Sequence, residues 1–229
     1  MKDIMKQGAE TTENGGVSRR KFLNYAGALA GAGLLIASCS KDPDPVPSTG
    51  DALNLGSNDE GLLNYAYLLQ QLEAAFYTEA LKRKFVGMTN TEIGIFTAIR
   101  DQELAHREIL KNHLGTAAIP TLETDFSSID FNEKNSVYAK AKQFEEMAVA
   151  GLNGICKLLI AVEHLTLLSK ITAVDARHSS LINDFVYFGS FSEKADTNGM
   201  EVPQDPQSSL DVTRKFFKRE ISGIYLPKY

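Results

Sequence analysis

The chain has 229 residues, of which 43% are hydrophobic and 23% charged, and its formal net charge is −5. This length and composition are typical of one globular domain with appendages rather than of two full domains. The acidic balance argues against binding to nucleic acid or to an anionic membrane surface, and it favours cationic partners.

The first 38 residues have the features of an export signal. Arg19 and Arg20 stand in the run Ser-Arg-Arg-Lys-Phe-Leu, and an apolar, glycine-rich segment follows at residues 25–37. That segment is too short to span a bilayer as a mature helix. The pattern resembles a twin-arginine signal, which exports proteins that have already folded. A general secretory signal with a chance pair of arginines is the alternative.

Cys39 ends a second pattern, Ile-Ala-Ser-Cys, which resembles the lipobox of bacterial lipoproteins. The resemblance implies that Cys39 is the lipidated first residue of the mature protein and anchors it to a membrane. Residues 39–57 are rich in proline and small polar residues, which predicts a flexible tether rather than part of a core. We therefore expect an exported lipoprotein of the bacterial cell envelope, facing the periplasm or attached to the outer membrane.

Two long amphipathic helices are predicted after the tether, at about 58–84 and from about 89–91 to 114. The first helix places Glu73 on its apolar stripe. The second places Glu103 and His106 three residues apart, so both side chains lie on its inward face. Thr89 or Asn90 can cap this helix. The connection between the two helices is short, which predicts antiparallel neighbours.

Residues 115–133 predict a long crossover between the second and third helices. The third helix begins after residue 132 and carries Glu145 on its apolar stripe, and the fourth carries Asp175 and His178 and ends near residue 189. Residues 157–172 contain neither proline nor glycine. We place the turn between these helices at about 157–163, because one unbroken helix would exceed the lengths usual in globular proteins.

The four predicted helices form a bundle at residues 58–190. Residues 191–229 are predicted to form a loop and a short helix that packs on this bundle. This last helix should begin at about Ser209. Its expected apolar side consists of Leu210, Phe216, Phe217 and Ile221.

The two halves of the bundle repeat one arrangement of chemical groups. Glu73 and Glu103 are 30 residues apart, and so are Glu145 and Asp175. Each half is therefore a helix with one carboxylate, a turn, and a helix with a carboxylate and a histidine three residues later. Two such hairpins related by a pseudo-twofold axis would direct their polar side chains toward a common centre.

Six ionisable residues on four apolar stripes would destabilise an ordinary core, because an unpaired buried charge costs several kcal/mol. Four carboxylates and two neutral imidazoles balance two divalent ions in formal charge, whereas a single zinc would leave carboxylates unpaired. Oxygen and imidazole donors suit iron or manganese better than metals that prefer thiolate. The predicted ligands are Glu73, Glu103, His106, Glu145, Asp175 and His178. Glu146 could replace Glu145 if the register of the third helix were shifted by one.

The sequence resembles the bacterial ferritin-like domain proteins, a family that also includes plant desiccation-related proteins. The resemblance covers about residues 58–190 and rests on Leu72-Glu73-Ala74-Ala75-Phe76-Tyr77, Glu103-Leu104-Ala105-His106, Phe144-Glu145 and Val174-Asp175-Ala176-Arg177-His178. It implies an all-α, ferritin-like four-helix bundle with a di-iron or di-manganese centre. In this family a glutamate usually stands where this chain has Asp175.

Two functional hypotheses follow from this resemblance. The first is oxidation of ferrous iron or reduction of peroxide at a di-metal centre. The alternative is a non-enzymatic envelope protein, structural or stress-related, whose metal site is vestigial or merely stabilising. The sequence does not distinguish iron from manganese, and it leaves a homo-oligomer open.

Overall fold

The computed structural model describes residues 52–228 of the chain. Arg19, Arg20 and Cys39, like the rest of the predicted signal and most of the predicted tether, lie outside the described residues. Within the described part, two short 3₁₀ helices lie at Gly115–Ala117 and Arg214–Phe216. The other elements are β1 (Leu53–Asn54), α1 (Asn58–Arg83), α2 (Asn90–Leu114), α3 (Lys134–Cys156), α4 (Val162–Val186), α5 (Pro206–Thr213) and β2 (Ile221–Ser222).

Helices α1 to α4 form a bundle, which confirms the predicted all-α fold class. Helix α1 packs along α2, α3 packs along α4, and α1 also contacts α3. The apolar stripes of the four helices meet in one core that includes Leu72, Phe76, Phe96, Phe144 and Leu168. No helix among residues 52–228 is long and apolar enough to cross a membrane.

Helix α2 begins at a capping box, with Thr89, one of the two predicted caps, as its N-cap. The Thr89 side chain accepts a hydrogen bond of 3.2 Å from the Glu92 backbone N–H, and Glu92 Oε2 accepts one of 2.8 Å from the Thr89 backbone N–H. These bonds satisfy backbone donors that have no partner within the helix. The cap therefore fixes the residue at which α2 begins, and with it the position of Glu103 and His106 along the axis of the bundle.

The crossover at residues 115–133 is held to α1 by two buried amide side chains. Asn64 accepts a hydrogen bond of 2.9 Å from the Ile119 N–H and donates one of 3.0 Å to the Ala117 carbonyl. Gln71 accepts one of 2.8 Å from the Leu122 N–H. The long crossover is thus confirmed, and it is fixed along the bundle.

The turn between α3 and α4 occupies residues 157–161, within the predicted range. Asp59 on α1 stabilises it by accepting hydrogen bonds of 2.9 and 2.8 Å from the backbone N–H groups of Ile160 and Ala161. Its Oδ2 also lies 2.9 Å from His164 Nδ1. A carboxylate at the N-terminus of α4 complements the helix dipole. The turn is therefore specified by a residue about 100 positions earlier in the chain rather than by a local proline or glycine.

The C-terminal helix differs from its prediction. Helix α5 begins at Pro206, with Asp205 as its N-cap, and ends at Thr213, so it starts earlier and is shorter than expected. Phe216, Phe217 and Ile221 are buried as predicted, but they lie beyond this helix. Apolar spacing alone did not reveal this, because the chain turns through a 3₁₀ helix and then becomes extended.

The extended C-terminal segment pairs with the residues just before α1. Strands β1 and β2 are parallel, with Leu53 opposite Ile221. Leu55, at the end of the predicted tether, is completely buried in the core. Residues 53–55 therefore contribute to the packed structure.

Candidate metal centre

All six predicted ligands converge in the interior of the bundle. None is more than 7% exposed, and together they come from all four long helices. The three-residue spacing in α2 and in α4 places a carboxylate and an imidazole on the same helix face. The residues are Glu73 on α1, Glu103 and His106 on α2, Glu145 on α3, and Asp175 and His178 on α4.

Glu103 is the central side chain of this cluster. Its Oε1 lies 2.7 Å from His178 Nδ1, and its Oε2 lies 3.5 Å from His106 Nδ1. Two trios in which the potential ligand atoms lie within 4.8 Å of one another share this residue. We call the first trio, formed by Glu103, His106 and Asp175, the His106 position. We call the second trio, formed by Glu103, Glu145 and His178, the His178 position.

Glu145 is oriented by a tyrosine from α1. The Tyr77 hydroxyl donates a hydrogen bond of 2.6 Å to Glu145 Oε1. The other oxygen, Oε2, lies 4.0 Å from His178 Nδ1 and accepts no hydrogen bond from the described residues. One carboxylate oxygen is thus held by the protein, while the other faces the interior of the cluster.

Gln70 on α1 links the ligands of the His106 position. Its amide nitrogen donates hydrogen bonds of 3.1 Å to Glu73 Oε2 and 3.0 Å to Asp175 Oδ2, and its oxygen lies 3.1 Å from His106 Nδ1. Glu73 belongs to neither trio, but its Oε1 is buried and accepts no hydrogen bond from the described residues.

The two imidazoles direct Nδ1 toward the carboxylates. His106 Nδ1 lies 3.2 Å from Asp175 Oδ1, and His178 Nδ1 is the atom close to Glu103. On its outer side, His178 Nε2 lies 3.2 Å from Gln102 Oε1. The amide oxygen can accept the Nε2 proton, which leaves Nδ1 as the ring nitrogen that would bind a metal in place of its proton.

The register of α3 is the predicted one. Glu145 is completely buried in the cluster, whereas Glu146 faces outward and contacts Lys142 at 2.6 Å and Lys194 at 3.7 Å. Glu146 lines a cleft of about 660 Å³ between α3 and the C-terminal segment, and none of the six predicted ligands lines that cleft. Glu146 is therefore not a substitute for Glu145.

The model of the ferritin-like domain family matches residues 58–187, which is more than half of the chain. The chain belongs to the ferritin-like domain family. A search among curated proteins found no match. The four helices of this ferritin-like domain are the ones that carry the buried Glu and His residues, so the matched region includes the whole cluster.

The carboxylates lie close together in the interior of the ferritin-like domain, and this shifts their pKa values. Burial raises the pKa of both Glu73 and Glu145 well above the usual range, and repulsion from Glu103 raises them further. Burial and Glu103 also raise the pKa of Asp175 to about 6. Without metal, protons therefore replace part of the negative charge of the cluster.

The pKa values of Glu103 and of His106, on the same helix, instead shift in the directions that favour the charged forms. Burial acts to raise the pKa of Glu103, but hydrogen bonds from His106 and His178 hold it below the usual range. Burial acts to lower the pKa of His106, but Asp175 and Glu103 raise it to about 9. Glu103 is thus the carboxylate that remains ionised most readily.

These residues of the ferritin-like domain fit a pair of divalent ions. Buried polar atoms nearly always have a partner, yet Glu73 Oε1 and Glu145 Oε2 accept no hydrogen bond within residues 52–228. The donor atoms are carboxylate oxygens and imidazole nitrogens, and Cys156 is outside both trios. The cluster can therefore bind metal through residues that the sequence already indicated.

The contacts of Gln70, Gln102 and Tyr77 were not predicted from the sequence. Gln70 stands three residues before Glu73 and Tyr77 four residues after it, which places both on the face of α1 that carries Glu73. From this spacing, the position of both side chains beside Glu73 could have been predicted. Gln102 directly precedes Glu103 and is exposed, so its contact with His178 had no periodic signal.

Proposed function

We propose that this ferritin-like domain binds two divalent ions, iron or manganese, with Glu103 as the ligand shared between them. The observation that carries the proposal is the pair of trios, at the His106 position and the His178 position, which have this carboxylate in common. Glu73 adds a fourth carboxylate beside the His106 position. Four carboxylates and two imidazoles then match two divalent ions in charge.

The donor set supports iron or manganese. Carboxylate oxygens with one imidazole for each ion are typical ligands of these metals, while copper(I) and structural zinc favour sulfur. Cys156 lies near the end of α3, far along the helix from Glu145. The same two-plus-two arrangement of Glu and Glu-x-x-His helices is known from di-iron and di-manganese carboxylate proteins.

We propose oxidation of ferrous iron or reduction of peroxide as the chemistry. Two divalent ions bound here would supply the two electrons that, together with two protons, reduce hydrogen peroxide to two molecules of water. The protein's part is to hold six ligand side chains in a buried site, where water has little access. The Tyr77 hydroxyl oxygen, 2.6 Å from Glu145 Oε1, holds a proton beside the proposed centre.

Export and lipid anchoring are a separate proposal that rests on the sequence. Arg19 and Arg20 support export in the folded state, and Cys39 supports attachment to a membrane of a bacterial envelope. Labelling of the full chain with radioactive palmitate in a bacterial host tests this. We expect a labelled protein in the membrane fraction and no label in Cys39→Ser, and label in both proteins would contradict the assignment of Cys39.

Metal content of the full chain tests the di-metal proposal. The wild type, Glu103→Ala and Glu108→Ala are loaded with Fe²⁺ or Mn²⁺, desalted and measured by elemental analysis. Glu108 lies on the same helix, and its side chain is 49% exposed, which makes it a matched control. We expect about two ions per chain in the wild type and in Glu108→Ala, and almost none in Glu103→Ala.

A folded wild-type protein that retains no ion after loading would overturn the proposal. That result would favour the non-enzymatic alternative, in which the bundle itself is the functional surface. Assays with ferrous iron and peroxide follow only if the ions are retained.

A further inference from the structure

Gln70 is a neutral side chain in the middle of a cluster of ionisable groups. It is completely buried, and every polar atom of its amide faces a residue of the proposed metal centre. The nitrogen donates to Glu73 and Asp175, and the oxygen faces His106. Since a carboxylate accepts hydrogen bonds and an amide oxygen cannot donate one, the two carboxylates fix which end of the amide faces the imidazole.

The spacing around His106 Nδ1 is that of hydrogen bonds in the metal-free protein, and it also matches the spacing of ligands that share one ion. Two atoms bound to a metal at about 2.1 Å and at right angles to each other lie about 3.0 Å apart. Gln70 Oε1 lies 3.1 Å from His106 Nδ1, and Asp175 Oδ1 lies 3.2 Å from it. The amide oxygen is thus as well placed as the carboxylate to share an ion with this imidazole.

We propose that Gln70 Oε1 is a further ligand of the ion at the His106 position. This inference rests on the proposed di-metal function and adds a neutral oxygen donor to one of its two sites. The amide nitrogen keeps its hydrogen bonds to Glu73 and Asp175, so the same side chain binds the ion and orients two of its carboxylate neighbours.

The internal repeat does not supply a second ligand of this kind. The residue three positions before Glu145, equivalent to Gln70, is Lys142. Its ammonium group bonds Glu146 at 2.6 Å and Asn183 at 2.9 Å, away from the buried trio. The His178 position therefore has no amide ligand from α3, and the two ions have unequal surroundings in a site that is otherwise pseudo-symmetric.

Manganese titration of the full chain tests this, with bound and free Mn²⁺ distinguished by electron paramagnetic resonance. The variants are Gln70→Met, Gln70→Ala, Gln70→Glu and the control Gln71→Met. Gln71 is also buried on α1, but it bonds the crossover at Leu122 rather than the cluster. His106→Ala and His178→Ala identify which binding step belongs to which position.

In the wild type we expect two ions bound. One of the two Mn²⁺-binding steps is expected to be lost in His106→Ala. In Gln70→Met and Gln70→Ala the Mn²⁺ affinity of that same step should fall about 10- to 100-fold, while the affinity of the other step is unchanged. Gln71→Met should retain both steps. Gln70→Glu should also retain both, because a carboxylate still offers an oxygen to the ion.

The Gln70→Glu variant distinguishes a ligand from a structural cross-link. A carboxylate cannot donate hydrogen bonds to Glu73 and Asp175, so a purely structural amide would make Gln70→Glu lose the same step as Gln70→Met. That result, or unchanged binding in Gln70→Met and Gln70→Ala, would overturn the inference while leaving the di-metal function intact. A wild type that binds no Mn²⁺ or Fe²⁺ would overturn both.

Discussion

The Tyr77 hydroxyl donates a hydrogen bond of 2.6 Å to Glu145 Oε1, and both side chains are completely buried. The bond joins α1 to α3 across the bundle and orients one carboxylate of the candidate metal centre. A buried carboxylate oxygen that loses its donor keeps the cost of desolvation without compensation.

Tyr77→Phe should therefore lower the free energy of unfolding of the metal-free protein by about 1–3 kcal/mol. Urea denaturation followed by circular dichroism measures it. Tyr67→Phe is the matched control, because the buried Tyr67 hydroxyl has no hydrogen-bond partner within residues 52–228. Its removal should be neutral or slightly stabilising, and equal losses in the two variants would contradict the role assigned to the Tyr77 bond.

Each of the two histidines should be required for the binding of one of the two ions. His106 belongs to one trio and His178 to the other, whereas Glu103 belongs to both. We expect His106→Ala and His178→Ala each to retain about one Mn²⁺ per chain, and the double variant to retain almost none. Elemental analysis after gel filtration measures this. His113→Ala, at the exposed end of α2, is the control and should bind as the wild type does. Loss of both ions in either single variant would show that the positions are not independent.

Glu92 should make the stability of the bundle depend on pH in the acidic range. Burial acts to raise its pKa, but hydrogen bonds from Lys134, Thr89 and Tyr138 lower it to about 2. Because the folded protein binds this proton less readily than the unfolded chain, the stabilisation is complete above pH about 4.5 and disappears as the pH falls toward about 2.

Glu92→Gln should thus be less stable than the wild type by about 1–3 kcal/mol at pH 6, and the difference should vanish near pH 2. Thermal unfolding at a series of pH values measures it. The control Glu108→Gln alters only a half-exposed pair with Arg107 and should change stability by less than about 1 kcal/mol. A pH-independent difference for Glu92→Gln would contradict the assignment.

Gly154 should be essential for docking the C-terminal segment on α3. A Cβ atom at this position would overlap the backbone carbonyl of Gln204, whose N–H is fixed by a bond of 2.9 Å to the Ala150 carbonyl. Gly154→Ala should lower the free energy of unfolding by about 1–3 kcal/mol, because the backbone must shift. Gly94 on α2 has nothing within 4 Å of such an atom. Gly94→Ala should therefore stabilise the protein by about 0.5–1 kcal/mol, and denaturant titration of both variants checks the opposite signs.

Much of the centre was predictable because it depends on local spacing. A separation of three residues puts Glu103 beside His106 and Asp175 beside His178 whatever the helices pack against. Charged groups on otherwise apolar stripes then had to face one another in the interior. The fold class and the convergence of the four helices follow from the same periodicity.

The contacts that orient the ligands depend on which helices become neighbours. Gln70 reaches Asp175 across 105 positions of sequence, and Tyr77 reaches Glu145 across 68. Helical periodicity says which face a residue occupies, but not which residue on another helix lies opposite at the same height. The C-terminal end shows the same limit, because Ile221 is buried in a strand that forms only when Leu53 is beside it.

The sequence by itself therefore determined the four helices, their inward faces and the six ionisable residues that share the interior. Only the tertiary structure decided that Glu103 is common to both trios and that Gln70 contacts His106 and Asp175 of one trio. The physical reason is that spacing along one helix is local, whereas a ligand set is formed by side chains from four helices whose relative heights and rotations come from packing.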